Sequence, residues 1–234
     1  MNDINSIKII GNGIITNGEY EKVSILGEAI ALDSFKCNYL KVVGNCILKD
    51  EVIARRVKIL GEMLCEERGI TESELEILGE LRALKDYKVN KIKVLGEAIF
   101  KENLFFEETD ILGKLEVYKD CEGNLFNSRG KLKINGLLSA ENIDINPNGI
   151  STISEIGGSK IIIRRKGLFS FGESKVISNT IEGDYIELEN TECEIVRGHN
   201  IRILANCRIG KVEYTGTLSV DNRSIVGEEK CLKN

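Results

Sequence analysis

The chain has 234 residues, 42% of them hydrophobic, and its 32 basic and 37 acidic side chains leave a net charge of -5. This is apolar material for one long domain or two ordinary ones, and the mildly acidic balance gives no general attraction to nucleic acid or to an anionic membrane. Seven cysteines (Cys37, Cys46, Cys65, Cys121, Cys193, Cys207 and Cys231) form an odd set without a C-x-x-C pair, which argues against a disulfide framework or a zinc knuckle and reads as reduced thiols.

The start, Met1-Asn2-Asp3-Ile4-Asn5, lacks the basic stretch and apolar run of a signal peptide, and no later segment reaches 18 uninterrupted apolar residues. The expected location is the cytoplasm. Ile7-Lys8-Ile9-Ile10 reads as a first strand. A phrase then recurs as Ile25-Leu26-Gly27-Glu28-Ala29, Ile59-Leu60-Gly61-Glu62-Met63, Ile77-Leu78-Gly79-Glu80-Leu81, Val94-Leu95-Gly96-Glu97-Ala98 and Ile111-Leu112-Gly113-Lys114-Leu115, with Val42-Val43-Gly44-Asn45-Cys46 as a weaker copy. Glycines at positions 11, 27, 44, 61, 79, 96, 113 and 130 mark a nearly constant period of about 17 residues. A helical repeat needs more than about 30 residues, whereas about 17 make one coil of three short strands joined by corners. The single proline of the chain agrees with this, because proline removes a ladder donor. The period predicts an all-β solenoid with about 17 residues per coil.

In such a fold, residues at one offset from the glycine stack in a column of uniform character. Four before it stand Val23, Leu40, Val57, Leu75, Ile92 and Thr109; two before it, Ile25, Val42, Ile59, Ile77, Val94 and Ile111; two after it, Ala29, Cys46, Met63, Leu81, Ala98 and Leu115. These three columns are predicted to face inward. Three before the glycine the residues are polar (Ser24, Lys41, Lys58, Glu76, Lys93, Asp110), as period-two alternation demands of a wall with one wet side. A second strand is read from Phe35 with Cys37, Val52 with Ala54, Tyr87 with Val89, and Leu104 with Phe106, while the rung near Cys65 fits it poorly.

Immediately before the glycines runs the stripe Leu26, Val43, Leu60, Leu78, Leu95 and Leu112. Strict alternation places it outside as an interaction surface; a corner that turns two successive side chains inward places it in the core. The backbone freedom of glycine favours the inward placement. The acidic column Glu28, Glu62, Glu80 and Glu97, interrupted by Asn45 and ended by Lys114, reads as a solvated corner rather than a cation site.

The division expected is a regular solenoid section over 1–115, an irregular connection over 116–132, a second section over 133–228 and a tail over 229–234, the sections forming one rod. In the second section apolar runs continue at Leu132 to Leu138, Ile143 to Ile145, Ile161 to Ile163, Tyr185 to Leu188, Ile201 to Leu204 and Val212 to Tyr214. Between them Arg164, Arg165 and Lys166 precede Leu168, Phe169 and Phe171, the composition of a loop that docks on a membrane or a partner, with a longer corner folded onto the solenoid as the plainer alternative. The single histidine, His199, builds neither a triad nor a metal site alone, although it could serve as a base beside a carboxylate.

The segments 130–140 (GKLKINGLLSA), 155–158 (EIGG), 181–191 (IEGDYIELENT), 196–198 (VRG) and 212–214 (VEY) resemble the bactofilins, polymer-forming cytoskeletal proteins, in their longer Gram-positive form. The resemblance covers about residues 20 to 225. It implies a right-handed β-helix, nucleotide-free polymerisation by end-to-end stacking, and a scaffold for envelope, shape or motility machinery. The chain departs from the short bactofilins in its length and in lacking their proline-rich tails.

The function expected is that of a nonenzymatic scaffold that needs no cofactor. Its partners are other copies of itself or a related bactofilin, with envelope machinery at the inner face of the membrane and no nucleic acid. Both ends of a solenoid expose unpaired backbone and apolar core unless they are capped, and no cap is evident. A monomeric binding module is the alternative. A left-handed acyltransferase helix, which would show three hexapeptides per coil, and a polysaccharide-active helix, which would show clustered Asp with Arg or Lys, fit less well.

Overall fold

The computed structural model describes residues 5–165 and 173–232. The chain divides into two compact units, Met1–Lys119 and Asp120–Asn234. Every regular element among the described residues is a strand, and the ladders within each unit are parallel. The fold is a β-solenoid with coils of about 17 residues.

In the first unit each coil contributes two strands. They run β1 (Ser6–Ile9), β2 (Asn12–Ile15), β3 (Gly18–Ile25), β4 (Glu28–Ala31), β5 (Phe35–Val42), β6 (Asn45–Leu48) and β7 (Val52–Ile59). They continue as β8 (Glu62–Cys65), β9 (Gly69–Ile77), β10 (Glu80–Ala83), β11 (Tyr87–Val94), β12 (Glu97–Phe100), β13 (Leu104–Ile111) and β14 (Lys114–Val117). Odd strands pair with odd and even with even, so each strand lies on its counterpart in the neighbouring coil. The register joins Val23 to Leu40, Leu40 to Val57 and Leu75 to Ile92, which are the columns read from the sequence. The inward positions are filled by residues such as Ile25, Leu40, Ile59, Ile77, Leu81 and Ile92, all fully buried. Each such aliphatic side chain contributes about 1.5–3 kcal/mol by leaving water.

The corners differ from expectation. Alternation continues unbroken through the repeat glycine: residues two before and two after it are buried, and those immediately beside it face out. Glycine therefore falls in the inward phase of the alternation while staying half-buried, and a Cβ on Gly27, Gly44, Gly61, Gly79, Gly96 or Gly113 would lie 2.0–2.1 Å from the carbonyl oxygen of the glycine one coil below. None of these six has a left-handed φ. The same carbonyl accepts the next coil's N–H, as from Glu62 to Gly44 and from Glu80 to Gly61, both at 2.9 Å. Close backbone approach, rather than conformational freedom, thus sets the repeat. Alternation breaks instead within the long strands, where pairs such as Asn38–Tyr39 and Arg55–Arg56 both face outward. That bend divides each long strand into two walls, so a coil has three walls although only two strands.

The poorly fitting rung has a physical cause. A register shift between Ala54 and Arg56 absorbs one extra residue, and Gly69 and Thr71 replace the apolar pair. Gly69 leaves room for the Tyr87 ring, which a Cβ there would meet at 2.2 Å. The Tyr87 hydroxyl hydrogen-bonds Thr71 Oγ1 at 2.9 Å.

In the second unit most strands run almost unbroken through a coil: β15 (Cys121–Ser128), β16 (Lys131–Ile145), β17 (Ile150–Ile163), β18 (Lys175–Leu188), β19 (Thr191–Ile203), β20 (Arg208–Val220) and β21 (Ile225–Cys231). The segment expected as an irregular connection over 116–132 holds β15, laddered on β16 with Phe126 beside Ile143. The expected tail over 229–234 begins inside β21. One inward column runs Phe126, Ile143, Ile161, Ile186, Ile201 and Leu218, at uneven intervals that are longest from Ile161 to Ile186 and shortest from Ile186 to Ile201. Gly158, Gly183 and Gly198 repeat the close-approach device, since a Cβ added to any of them would lie 2.2–2.5 Å from the carbonyl below. Asn190 and Asn206 take left-handed corners, with the Asn206 amide donating to Asn190 Oδ1 at 3.0 Å.

Candidate interaction surfaces

The stripe Leu26, Val43, Leu60, Leu78, Leu95 and Leu112 lies outside, each residue 36–48% exposed, against the inward placement favoured above. The unbroken alternation at the glycine corner sends these side chains to solvent. A second apolar column, three residues after the glycines, faces out from the short strands as Ile14, Ile30, Ile47 and Leu64. It then gives way to Arg82, the buried Ile99 and Glu116. Sequence reading missed this column, although alternation from Ala29 and Ala31 would have exposed it.

The polar columns carry charge ladders. Lys58 pairs with Glu76 at 2.6 Å, Lys91 with Glu108 at 2.9 Å, and Lys114 with Glu97 at 2.8 Å. Within the acidic column Glu80 is paired with Arg82 and Glu97 with Lys114. Among the described residues no three His, Cys, Asp or Glu side chains gather as a metal site. A depression on the long-strand side is lined by Glu21, Lys22, Arg56, Lys58, Glu74 and Glu76, whose opposite charges cancel.

The first strands of the first unit and the last strand of the second differ. Among the described residues β1 and β2 pair on one side only. The carbonyls of Asn5, Ile9 and Gly11 accept from Glu21, Leu26 and Glu28 at 2.8–3.0 Å. Backbone groups alternate sides along a parallel strand, so those of Ser6, Lys8 and Ile10 point to the open edge. Ile10 is 70% and Ile14 61% exposed there. At β21, in contrast, Glu229 stands in register with Val212, itself in register with Val196, placing a carboxylate in a core column. Charge of this kind blunts an edge.

Of the basic and aromatic segment, Arg164 and Arg165 lie among the described residues. The Arg164 guanidinium donates to Glu187 Oε1 at 2.9 Å, and Arg202 donates to Oε2 at 2.9 Å. Glu187 is buried, so these two cations neutralise it in place. The Arg165 backbone N–H donates to Glu189 at 2.9 Å. Lys166, Leu168, Phe169 and Phe171 lie outside the described residues.

The comparisons with known proteins bear on the whole chain. Over 231 residues, 98% of this chain and 98% of the relative, it is 31% identical to uncharacterized protein YhbF of Bacillus subtilis (strain 168). The chain belongs to the YhbF family. Over 95 residues, 38% of this chain and 40% of the relative, it is 37% identical to uncharacterized protein YhbE of the same organism. No protein-family model and no solved structure matches it.

The groups of this YhbF-family chain with reactive chemistry are few. All seven cysteines are free thiols, and six are buried. Burial pushes Cys37, Cys46 and Cys193 up to about 12 and Cys207 to about 11, and it raises Cys65 and Cys121 further. A thiol so shifted is not a nucleophile near neutrality. His199 Nδ1 lies 2.9 Å from Thr215 Oγ1, a hydroxyl rather than a carboxylate. No helix of the described residues is long and apolar enough to cross a membrane.

Proposed function

We propose that this YhbF-family protein is a nonenzymatic cytoplasmic scaffold of the bactofilin kind, which assembles with copies of itself and recruits envelope or motility machinery at the inner face of the membrane. The observation that carries the reading is the open first coil. There Ser6, Lys8 and Ile10 direct backbone donors and acceptors away from β3, beside exposed Ile10 and Ile14. Such an edge is a template for another strand. The buried thiols and charge-cancelled depression support a role without catalysis, and the segments quoted above support the resemblance to bactofilins.

Negative-stain microscopy and sedimentation across protein concentration test the proposal, with Lys8→Pro as the diagnostic variant. Proline there removes an outward-facing N–H while leaving the ladder to β3, so it should suppress assembly without unfolding the coil. Assemblies that grow with concentration and shrink in the variant are expected. A monomer at every concentration would instead point to a binding module that uses the Leu stripe.

A further inference from the structure

Four coils of the first unit combine features that the rest of the unit lacks. On β2, β4, β6 and β8 and at the position two before each, the outward residues form two apolar columns around a polar one. The polar column reads Asn12, Glu28, Asn45, Glu62, each in register with the next. One apolar column, just before the glycines, includes Leu26 (48% exposed) and Val43 (42%); the other includes Ile30 and Ile47, the latter 36% exposed. From β10 onward the face becomes charged, with Glu80 paired to Arg82 and Lys114 to Glu97 and Glu116.

We infer that this four-stranded face packs on the same face of a second copy about a twofold axis that runs along the strands between β4 and β6. The alternation of the polar column selects the occupant and its orientation. With the axis so placed, Glu28 faces Asn45 of the other copy and Asn12 faces its Glu62, so each carboxylate meets an amide donor. Leu26 then meets Val43, and Ile30 meets Ile47, closing the apolar columns on themselves. A twofold axis along the stacking direction would instead oppose Glu28 to Glu28 and Glu62 to Glu62. Self-complementarity of this kind, residue i on j and j on i, is what an isologous interface requires. Two sheets packed face to face keep their strands nearly aligned, as this axis does.

The face measures four strands at about 4.8 Å by five residues at about 3.3 Å, roughly 320 Å² per copy. A standard interface covers about 800 Å² per partner, so the pairing is weak and concentration-dependent. The inference deepens the scaffold reading and rests on it, because it adds a lateral, antiparallel contact to the end-to-end one.

Sedimentation equilibrium of the full chain with Lys8→Pro, in which the coil edge is blunted, isolates the face. Asn45 is exposed and its bond to the corner is made by its backbone N–H, donating to Gly27 O at 2.8 Å, so substitutions of its side chain leave folding intact. Asn45→Glu should weaken the dimer at least about tenfold by opposing two carboxylates, and Asn45→Lys should tighten it about tenfold by facing Glu28. Equal dissociation constants for the parent, Asn45→Glu and Asn45→Lys would overturn the face, while assembly of the unsubstituted chain would leave the scaffold reading standing. If the unsubstituted chain and every variant are monomeric, both fall. A monomer that floats with neutral phosphatidylcholine vesicles would assign the face to lipid and likewise overturn the inference.

Discussion

Gly79→Ala is the sharpest probe of the glycine column. An ideal Cβ on Gly79 would stand 2.0 Å from Gly61 O and 2.6 Å from Leu60 O, whereas real Cβ atoms essentially never come within 3.0 Å. The two coils must therefore separate locally by about 1 Å, which stretches the Glu80 N–Gly61 O bond (2.9 Å), the Leu78 N–Ile59 O bond (2.8 Å) and the Gly79 N–Ile59 O bond (3.2 Å) past useful length. Two or three net hydrogen bonds at about 1 kcal/mol each give about 2–3 kcal/mol. Reduced freedom of the unfolded chain returns about 0.4–1 kcal/mol, leaving a loss of about 2 kcal/mol. Gly157→Ala is the control: its Cβ would meet only Leu137 Cδ1 at 3.7 Å, and its stability should stay within about 0.5 kcal/mol of the parent. Urea unfolding followed by circular dichroism reads both, with hydrogen exchange of the β8–β10 amides locating the damage. If Gly79→Ala is no less stable than Gly157→Ala, the close-approach account of the repeat is wrong.

Two further outcomes follow from the same geometry. In the folded protein a thiol reagent at pH 8 should titrate one cysteine, Cys231, and reach the other six only in denaturant; rapid reaction of two or more would contradict their burial. Glu213 is held down to about 2 by hydrogen bonds from Arg197 and then Lys211. Its contribution is therefore fully present above its ordinary range near 4.5 and is lost as pH falls towards 2. Amides of β19 to β21 should lose protection in that window, and Glu213→Gln should flatten the response; an unchanged acid profile would show that these ion pairs do not hold the last coils.

The class of fold is legible without coordinates, because a chain that stacks on itself at a fixed period must place one chemical character in each column. Ile25, Val42, Ile59, Ile77, Val94 and Ile111 announce a core from their order alone. Two features needed the folded chain. Period alone does not reveal whether a glycine is chosen for its φ or for its missing Cβ, and that difference decided that Leu26, Leu60 and Leu78 face solvent. Nor does the order of residues reveal which columns share a face: Glu28 and Asn45 lie a whole coil apart in the chain, and only the ladder makes them neighbours in a surface whose pattern can be tested for complementarity with itself. In the second unit the long step from Ile161 to Ile186 and the short one from Ile186 to Ile201 hid the same columns, because unequal steps between rungs leave the register intact while erasing the period that would have shown it.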